Sequence, residues 1–213
     1  MVLHVLAALV IGHSVQGRPL RAYEVGDPRS PDKVLVVGCV HGNEAAGLPI
    51  ASLLQRLRPS FDLWVIPAAN PDGCRRGTRQ NAHGVDLNRN FPSNWARLGR
   101  PWSVQYAGPR PASEPETRAL TAFIRRLRPR ISIWYHQHQD LVRAWGQSIP
   151  LARRYARLSA MRFEAIRWPY GTAPNWQNHA FPGTSSFVVE LPAGRLSAAA
   201  ITRHVSAVLH IAK

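Results

Sequence analysis

Two kinds of apolar rhythm alternate along the chain. Residues 33–40 (KVLVVGCV) and 62–69 (DLWVIPAA) are nearly continuous apolar runs, the pattern of strands buried on both faces, and Pro67 marks the end of the second. Shorter runs at 131–135 (ISIWY) and 185–191 (SSFVVEL) predict two more strands. Between these runs the spacing becomes helical. Leu48, Ile50, Leu53, Leu54 and Leu57 predict a helix over roughly 44–58. Leu120, Phe123, Ile124 and Leu127 give one apolar face to another, closed by Pro129. Ser113-Glu114-Pro115-Glu116 reads as a capping box at the head of that helix, with Pro in its first turn. Further helices are predicted near 150–166 and 196–211, and loops rich in Asn, Gly and Pro at 70–112 and 171–184. Strands alternating with helices predict an α/β chain with a largely parallel sheet. Ligands of such sheets sit at the carboxyl ends of strands, which directs attention to His41, Asn70, His136 and Glu190.

Composition changes this picture little. The 213 residues are 45% hydrophobic and 18% charged, which fits one globular domain or at most two small ones and argues against a disordered chain. The net charge of +15 favours anionic partners, yet all but two of the 27 basic residues are arginine, a bias that coding preference explains equally well. No basic-aromatic strip or nucleic-acid motif accompanies the charge, so no specific nucleic-acid partner is expected. No apolar run reaches the roughly 18 residues of a membrane span. Cys39 and Cys74 are too few for a disulfide framework or a cysteine metal site; they could pair if the fold brings them together, but two buried thiols are the expectation. The apolar stretch 1–11 lacks a basic n-region, and is expected to be a trimmed signal segment or a first strand. Location stays open between cytoplasmic and exported, and the oligomeric state is unread.

The candidate chemistry lies where strands end. His41 and Glu44 are three apart at a strand-to-helix turn (HGNE), close enough to converge on one metal ion. His136 in YHQHQ could supply a third ligand, with His138 competing for the role. Two imidazoles and a carboxylate with an open fourth position is the pattern of catalytic zinc. Glu190 sits in an apolar strand, where a carboxylate is costly without a partner or a task. It reads either as a general base or as one end of a salt bridge to an arginine. The long loop carries NPDG (70–73) and GVDLNRNFP (84–92), crowded with Asp, Asn and Arg. A loop of that length inside a compact domain is usually functional. Arg89 offers a planar fork for a carboxylate and Asn88 an amide beside it. Asp86 could orient a metal-bound histidine through its second nitrogen, and Arg79 or Arg76 could stabilise an oxyanion.

HGNE, NPDG, GVDLNRNFP, SEPET, a strand ending in His, and SFVVELP occur here in an order that resembles the zinc carboxypeptidase family. The likeness spans residues 34–191 and is nearest the short bacterial branch that includes murein peptide amidases. It implies a single α/β domain over 1–213, with a mixed, mostly parallel sheet of about eight strands flanked by helices, and one zinc per chain. By this resemblance His41, Glu44 and His136 are the zinc ligands, Glu190 is the general base, and Asn88 and Arg89 hold the free carboxylate of a peptide substrate. Asp86 orients a ligand histidine, and Arg79 is preferred over Arg76 as the oxyanion arginine. The expected reaction is hydrolysis of the amide next to a free carboxylate, in a cell-wall peptide for this branch. The alternative is a zinc-dependent N-acyl amino-acid deacylase of the desuccinylase or aspartoacylase type. The family's capping tyrosine has no clear match, Tyr170 being out of register. Ala173, Pro174 and Asn175 are expected to line the leaving-residue pocket, with no charge in it. His13, His179 and His204 are read as surface or packing histidines.

Overall fold

The computed structural model describes residues 8–167 and 169–212. Its centre is one eight-stranded sheet. The strands are β1 (Ala8–His13), β2 (Pro19–Gly26), β3 (Lys33–Val37), β4 (Asp62–Ile66), β5 (Ile131–Gln137), β6 (Leu141–Ala144), β7 (Arg162–Ala165) and β8 (Ser185–Leu191). They lie in the order β1-β2-β4-β3-β5-β8-β6-β7. The middle pairs β4·β3, β3·β5 and β5·β8 are parallel, as is β6·β7; the pairs β1·β2, β2·β4 and β6·β8 are antiparallel. The expected mixed, mostly parallel sheet is therefore present, with antiparallel strands added towards both edges.

Alternation along the central strands builds two cores. Val34, Val36, Ile133, Tyr135, Phe187 and Val189 face one side, where α1 (Gly47–Leu54), α4 (Ile149–Ser159) and α6 (Ala198–Ile211) cover them. Leu35, Val37, Trp134 and Val188 face the other, under α3 (Pro115–Leu127) and α5 (Ala173–Ala180). The continuous apolar runs of the sequence follow from this double cover.

Several expectations need correction. The helix predicted at 150–166 stops at Ser159, because Ala160 adopts a left-handed conformation (φ 56°), and the chain then pairs with β6 as β7. The predicted loops are partly helical: α2 (Pro71–Arg76) lies in the first and α5 in the second. The capping box does not form. Glu114 is the N-cap without a side-chain cap bond, since the Ser113 hydroxyl donates to Glu114 Oε1 (2.7 Å) and accepts from Asn90 Nδ2. Cys39 and Cys74 are bonded in a disulfide. The count of two did not reveal that Asn70, at the head of α2, donates its N–H to the Cys39 carbonyl (3.1 Å) and so brings the two segments together. Of the apolar stretch 1–11, residues 8–11 belong to edge strand β1, and the rest lies outside the described residues.

His204 is buried, as a packing histidine. Its Nδ1 meets the Tyr155 hydroxyl at 2.8 Å, and that hydroxyl meets Tyr135 Oη at 2.8 Å. Burial, helped by the charge of Arg203, pushes its pKa down to about 4. The unfolded chain, with an ordinary histidine near 6.5, binds the extra proton between these values. Stability is therefore full above about pH 6.5 and falls as pH drops towards 4, by up to about 3 kcal/mol from this residue. Urea unfolding across that window should show the decline, flattened in His204→Gln.

Candidate metal centre

The site forms at the carboxyl ends of β3, β5 and β8, and local sequence explains how each part arrives. Past β3 the chain turns through His41-Gly42-Asn43-Glu44. A Cβ at Gly42 would run into the Gly73 carbonyl, so HGNE can stack on NPDG only because it has glycine at the contact; a Cβ at Gly73 would instead strike the capping side chain of Asn70. Asn70 caps α2 by accepting the Gly73 N–H (2.9 Å), with Pro71 in the first turn. In GVDLNRNF, Asp86 accepts the Asn88 N–H (2.9 Å) and so starts a single 3-10 turn over Leu87–Arg89. Phe91 then buries its ring near Trp134 and Trp176, pinning the loop to the second core. From the SEPET segment, Glu114 and Glu116 both accept from Asn81 Nδ2 (2.8 and 3.1 Å), fixing the start of the same loop.

His41, Glu44 and His136 come together, all buried, with one potential ligand atom from each inside a mutual distance of 4.8 Å. Glu44 Oε1 is 2.8 Å from His41 Nδ1, and Glu44 Oε2 is 2.9 Å from His136 Nδ1. Both rings thus aim Nδ1 inward. His41 Nε2 meets Asp86 Oδ1 (2.8 Å), an acceptor for its N–H, whereas His136 Nε2 lies 3.3 Å from Asn88 Nδ2, a donor that pairs only with the tautomer protonated on Nδ1. Outer partners on the second ring nitrogen are what orient histidine ligands of a metal. Two nitrogens and a carboxylate oxygen form a donor set that suits zinc. His138 is exposed, so the structure brings His136 and not His138 into the group.

Electrostatics fit the same use. Burial alone would raise the Glu44 pKa, but hydrogen bonds to His136 and His41 hold the carboxyl far below the usual range. Asp86 is likewise buried, yet His41, Arg79 and Arg89 keep it ionised. Burial is opposed at His41 by Asp86 and Glu44, which raise its pKa above the ordinary histidine value.

Arg79 is the arginine at the group. It donates from Nη1 to Glu44 Oε1 (2.9 Å), and from Nε and Nη2 to Asp86 Oδ2 (3.1 and 2.9 Å). Arg76 is exposed at the end of α2. Asn88 also accepts the Ala173 N–H (3.0 Å), so its amide links the 3-10 turn to α5. Glu190 pairs in register with His136 across β5 and β8, which places both side chains on one face of the sheet. Glu190 Oε2 is buried without a hydrogen-bond partner among the described residues. Burial raises the Glu190 pKa above the ordinary value; His136 and Arg143 pull it down and Glu44 pushes it up.

Glu190, Asn88 and Arg89 line a cavity of about 70 Å³, with Arg143, Trp145, Ile166, Pro169, Thr172 and Val188 as its other walls. Here the sequence misled. Ala173, Pro174 and Asn175 are not its lining, because they begin α5 and are packed into the interior. The cavity does carry charge, from Arg143 on β6, a four-residue strand too short to have been read from its pattern. Tyr170 is exposed, between the lining residues Pro169 and Thr172. A wider groove of about 490 Å³ opens on the other side of Glu44, lined among others by Asn43, Arg79, Val104, Gln137 and His138.

A twisted α/β sheet with an open His-Glu-His group at its carboxyl edge defines a metallopeptidase-like architecture. The chain belongs to the zinc carboxypeptidase family, whose sequence profile matches residues 4–167. It is 36% identical over 138 residues to murein peptide amidase A of Escherichia coli K12, covering 59% of this chain and 57% of that protein. It is 33% identical over 162 residues to murein peptide amidase A of Vibrio campbellii, covering 66% and 65%. The chain thus aligns with less than two thirds of the length of these relatives. The crystal structure of the murein-tripeptide amidase of Escherichia coli O157 superimposes with a TM-score of 0.79 at 26% identity, over 98% of this chain and 93% of the other. Carboxypeptidase A of Helicoverpa armigera shares the fold, with a TM-score of 0.82 at 20% identity, over 98% of this chain and 68% of the other. No helix among the described residues is long and apolar enough to cross a membrane.

Proposed function

We propose that this chain is a zinc metallocarboxypeptidase that hydrolyses the amide bond next to a free carboxylate, with a murein peptide as substrate. The observation that carries the reading is the meeting of His41 Nδ1, His136 Nδ1 and the Glu44 carboxylate beside a cavity holding Arg89 and Glu190. His41, Glu44 and His136 would hold one zinc ion. When bound, zinc supplies Lewis-acid polarisation of the scissile carbonyl and makes water acidic enough to ionise near pH 7.

The chain's own residues do the rest. Asp86 keeps His41 in one tautomer and orientation. Glu190, with its unpartnered oxygen and raised pKa, takes the proton of the attacking water and returns it to the leaving amine. Arg79 faces the centre with its charge and stabilises the oxyanion that develops on the carbonyl. Arg89 in the cavity holds the substrate's free carboxylate in a charge-assisted contact, with Asn88 lining the same cavity as the second donor to that carboxylate. The groove beyond Glu44 receives the acyl part of the peptide. The names of the murein peptide amidases to which the chain is similar favour a cell-wall peptide.

The test is a panel of L-Ala-γ-D-Glu-diaminopimelate, a simple peptide with a free C-terminus, and N-succinyl-glutamate. Release of diaminopimelate or of the C-terminal residue is expected. Cleavage of N-succinyl-glutamate alone would replace this reading with the deacylase.

A further inference from the structure

The cavity beside Glu190 contains a second arginine that the hydrolytic scheme does not use. Arg143 lies on β6, opposite Val188 of β8 in register, so its side chain rises on the same sheet face as Glu190. It lines the cavity with Arg89, and the remaining wall mixes Trp145, Ile166, Pro169 and Val188 with the polar Asn88, Thr172 and Glu190. Its side chain is 27% exposed. Among the described residues its ion pair is with Glu164 Oε2, reached by Nε at 3.4 Å and Nη2 at 3.3 Å, and Glu164 is 48% exposed. Both contacts lie beyond the usual range for a charge-assisted bond. A guanidinium has five N–H donors in a planar fork that matches a carboxylate. Among the described residues, two of those donors are engaged, loosely and at the solvent side.

We propose that Arg143 is a specificity-determining residue that selects a leaving residue whose side chain carries a second carboxylate. The inference rests on the carboxypeptidase reading. Arg89 takes the free carboxylate next to the scissile bond, and Arg143 takes the one at the side chain's end. The small cavity suits a short acidic chain better than an aromatic ring. Glutamate and diaminopimelate termini share this chemistry; only the second also brings an ammonium group that could meet Glu164.

The experiment compares kcat/KM for otherwise identical peptides ending in glutamate, diaminopimelate, leucine, glycine and lysine. The zinc-loaded wild type should prefer an acidic terminus over leucine by about tenfold or more, the scale of one charge-assisted contact. Arg143→Leu should bring that ratio near one. Arg143→Lys should restore part of it, and Arg143→Glu should move preference to lysine. Dependence of the diaminopimelate rate, but not the glutamate rate, on Glu164 would identify the zwitterionic end as the ligand. A ratio unchanged in Arg143→Leu overturns the proposal. So does an equal loss on all five termini, glycine included, which would make Arg143 an anchor for the other carboxylate. Calorimetric binding of free L-glutamate against L-leucine reads the pocket without turnover. Equal affinity in the wild type, or a difference that survives Arg143→Leu, also overturns it. If no peptide is cleaved, the carboxypeptidase reading fails and the calorimetry still decides the pocket.

Discussion

Glu190→Gln is expected to lower turnover by about 10²–10⁴-fold, the usual contribution of a positioned general base. The variant keeps the shape of the side chain and removes its ability to take a proton. Because Glu190 is not among the residues that converge on the metal position, zinc content should stay near one per chain. Among the described residues the Glu190 Oε2 atom has no hydrogen-bond partner, so the substitution breaks no contact there and the fold should persist. The same residue sets the pH profile. Its pKa is raised, mainly by burial, and only the ionised form accepts a proton. Activity should therefore fall on acidification at a pH above the ordinary glutamate range, and this acidic limb should vanish in Glu190→Gln. Turnover, zinc content and the pH profile of kcat/KM check the three statements. Full activity in the variant would remove Glu190 from the reaction.

His136→Ala is expected to have the second large effect. It deletes one of three converging donor atoms and leaves Glu44 Oε2, among the described residues, with the Gln137 N–H at 3.1 Å. Loss of an outer partner of a ligand histidine already costs about 10–100-fold in metal affinity, and losing the ligand itself should cost at least that. Zinc titration monitored by chelator competition gives the number, and activity should disappear with the metal. The parallel variant His138→Ala, at the exposed position two residues on, should bind zinc as the wild type does. Equal loss in both variants would mean that the ligand set is wrong.

The central strands and most site residues were legible because their signals are local. A strand covered on both faces reads as a continuous apolar run, as 33–37 and 185–191 do. The glycines of HGNE and NPDG, and the Asp that caps its own turn in GVDLNRNF, carry their geometry in a few residues. The edge was not legible. β2 alternates because one face is half exposed, and β6 and β7 have four residues each, too few for a period to emerge. α5 looked like loop because Pro174, Asn175 and Asn178 are poor helix formers. It is held instead by burial of Trp176 and by Asn178, which donates to the Ser186 carbonyl (2.9 Å). These misses are connected. Arg143 and the cavity walls come from the unread strand β6 and the segment before α5, so the pocket's charge was hidden with them. The disulfide could not be fixed from sequence for a similar reason: it joins positions 35 apart that the parallel pairing of β3 with β4 and the Asn70–Cys39 backbone bond bring close.

The net charge of +15 is only partly accounted for. Arg79, Arg89 and Arg143 surround the centre and its cavity, where anionic groups of a peptide would meet them. The other arginines have no assigned task.

The most direct measurement uses one peptide in two forms, with its C-terminal carboxylate free or amidated, incubated with the zinc-loaded chain with and without chelator. Zinc-dependent cleavage beside a carboxylate predicts release of the C-terminal residue from the free acid, a rate on the amide lower by about a hundredfold or more, and loss of both after chelation. Equal rates on the two forms, or undiminished cleavage by the chelated protein, would contradict it.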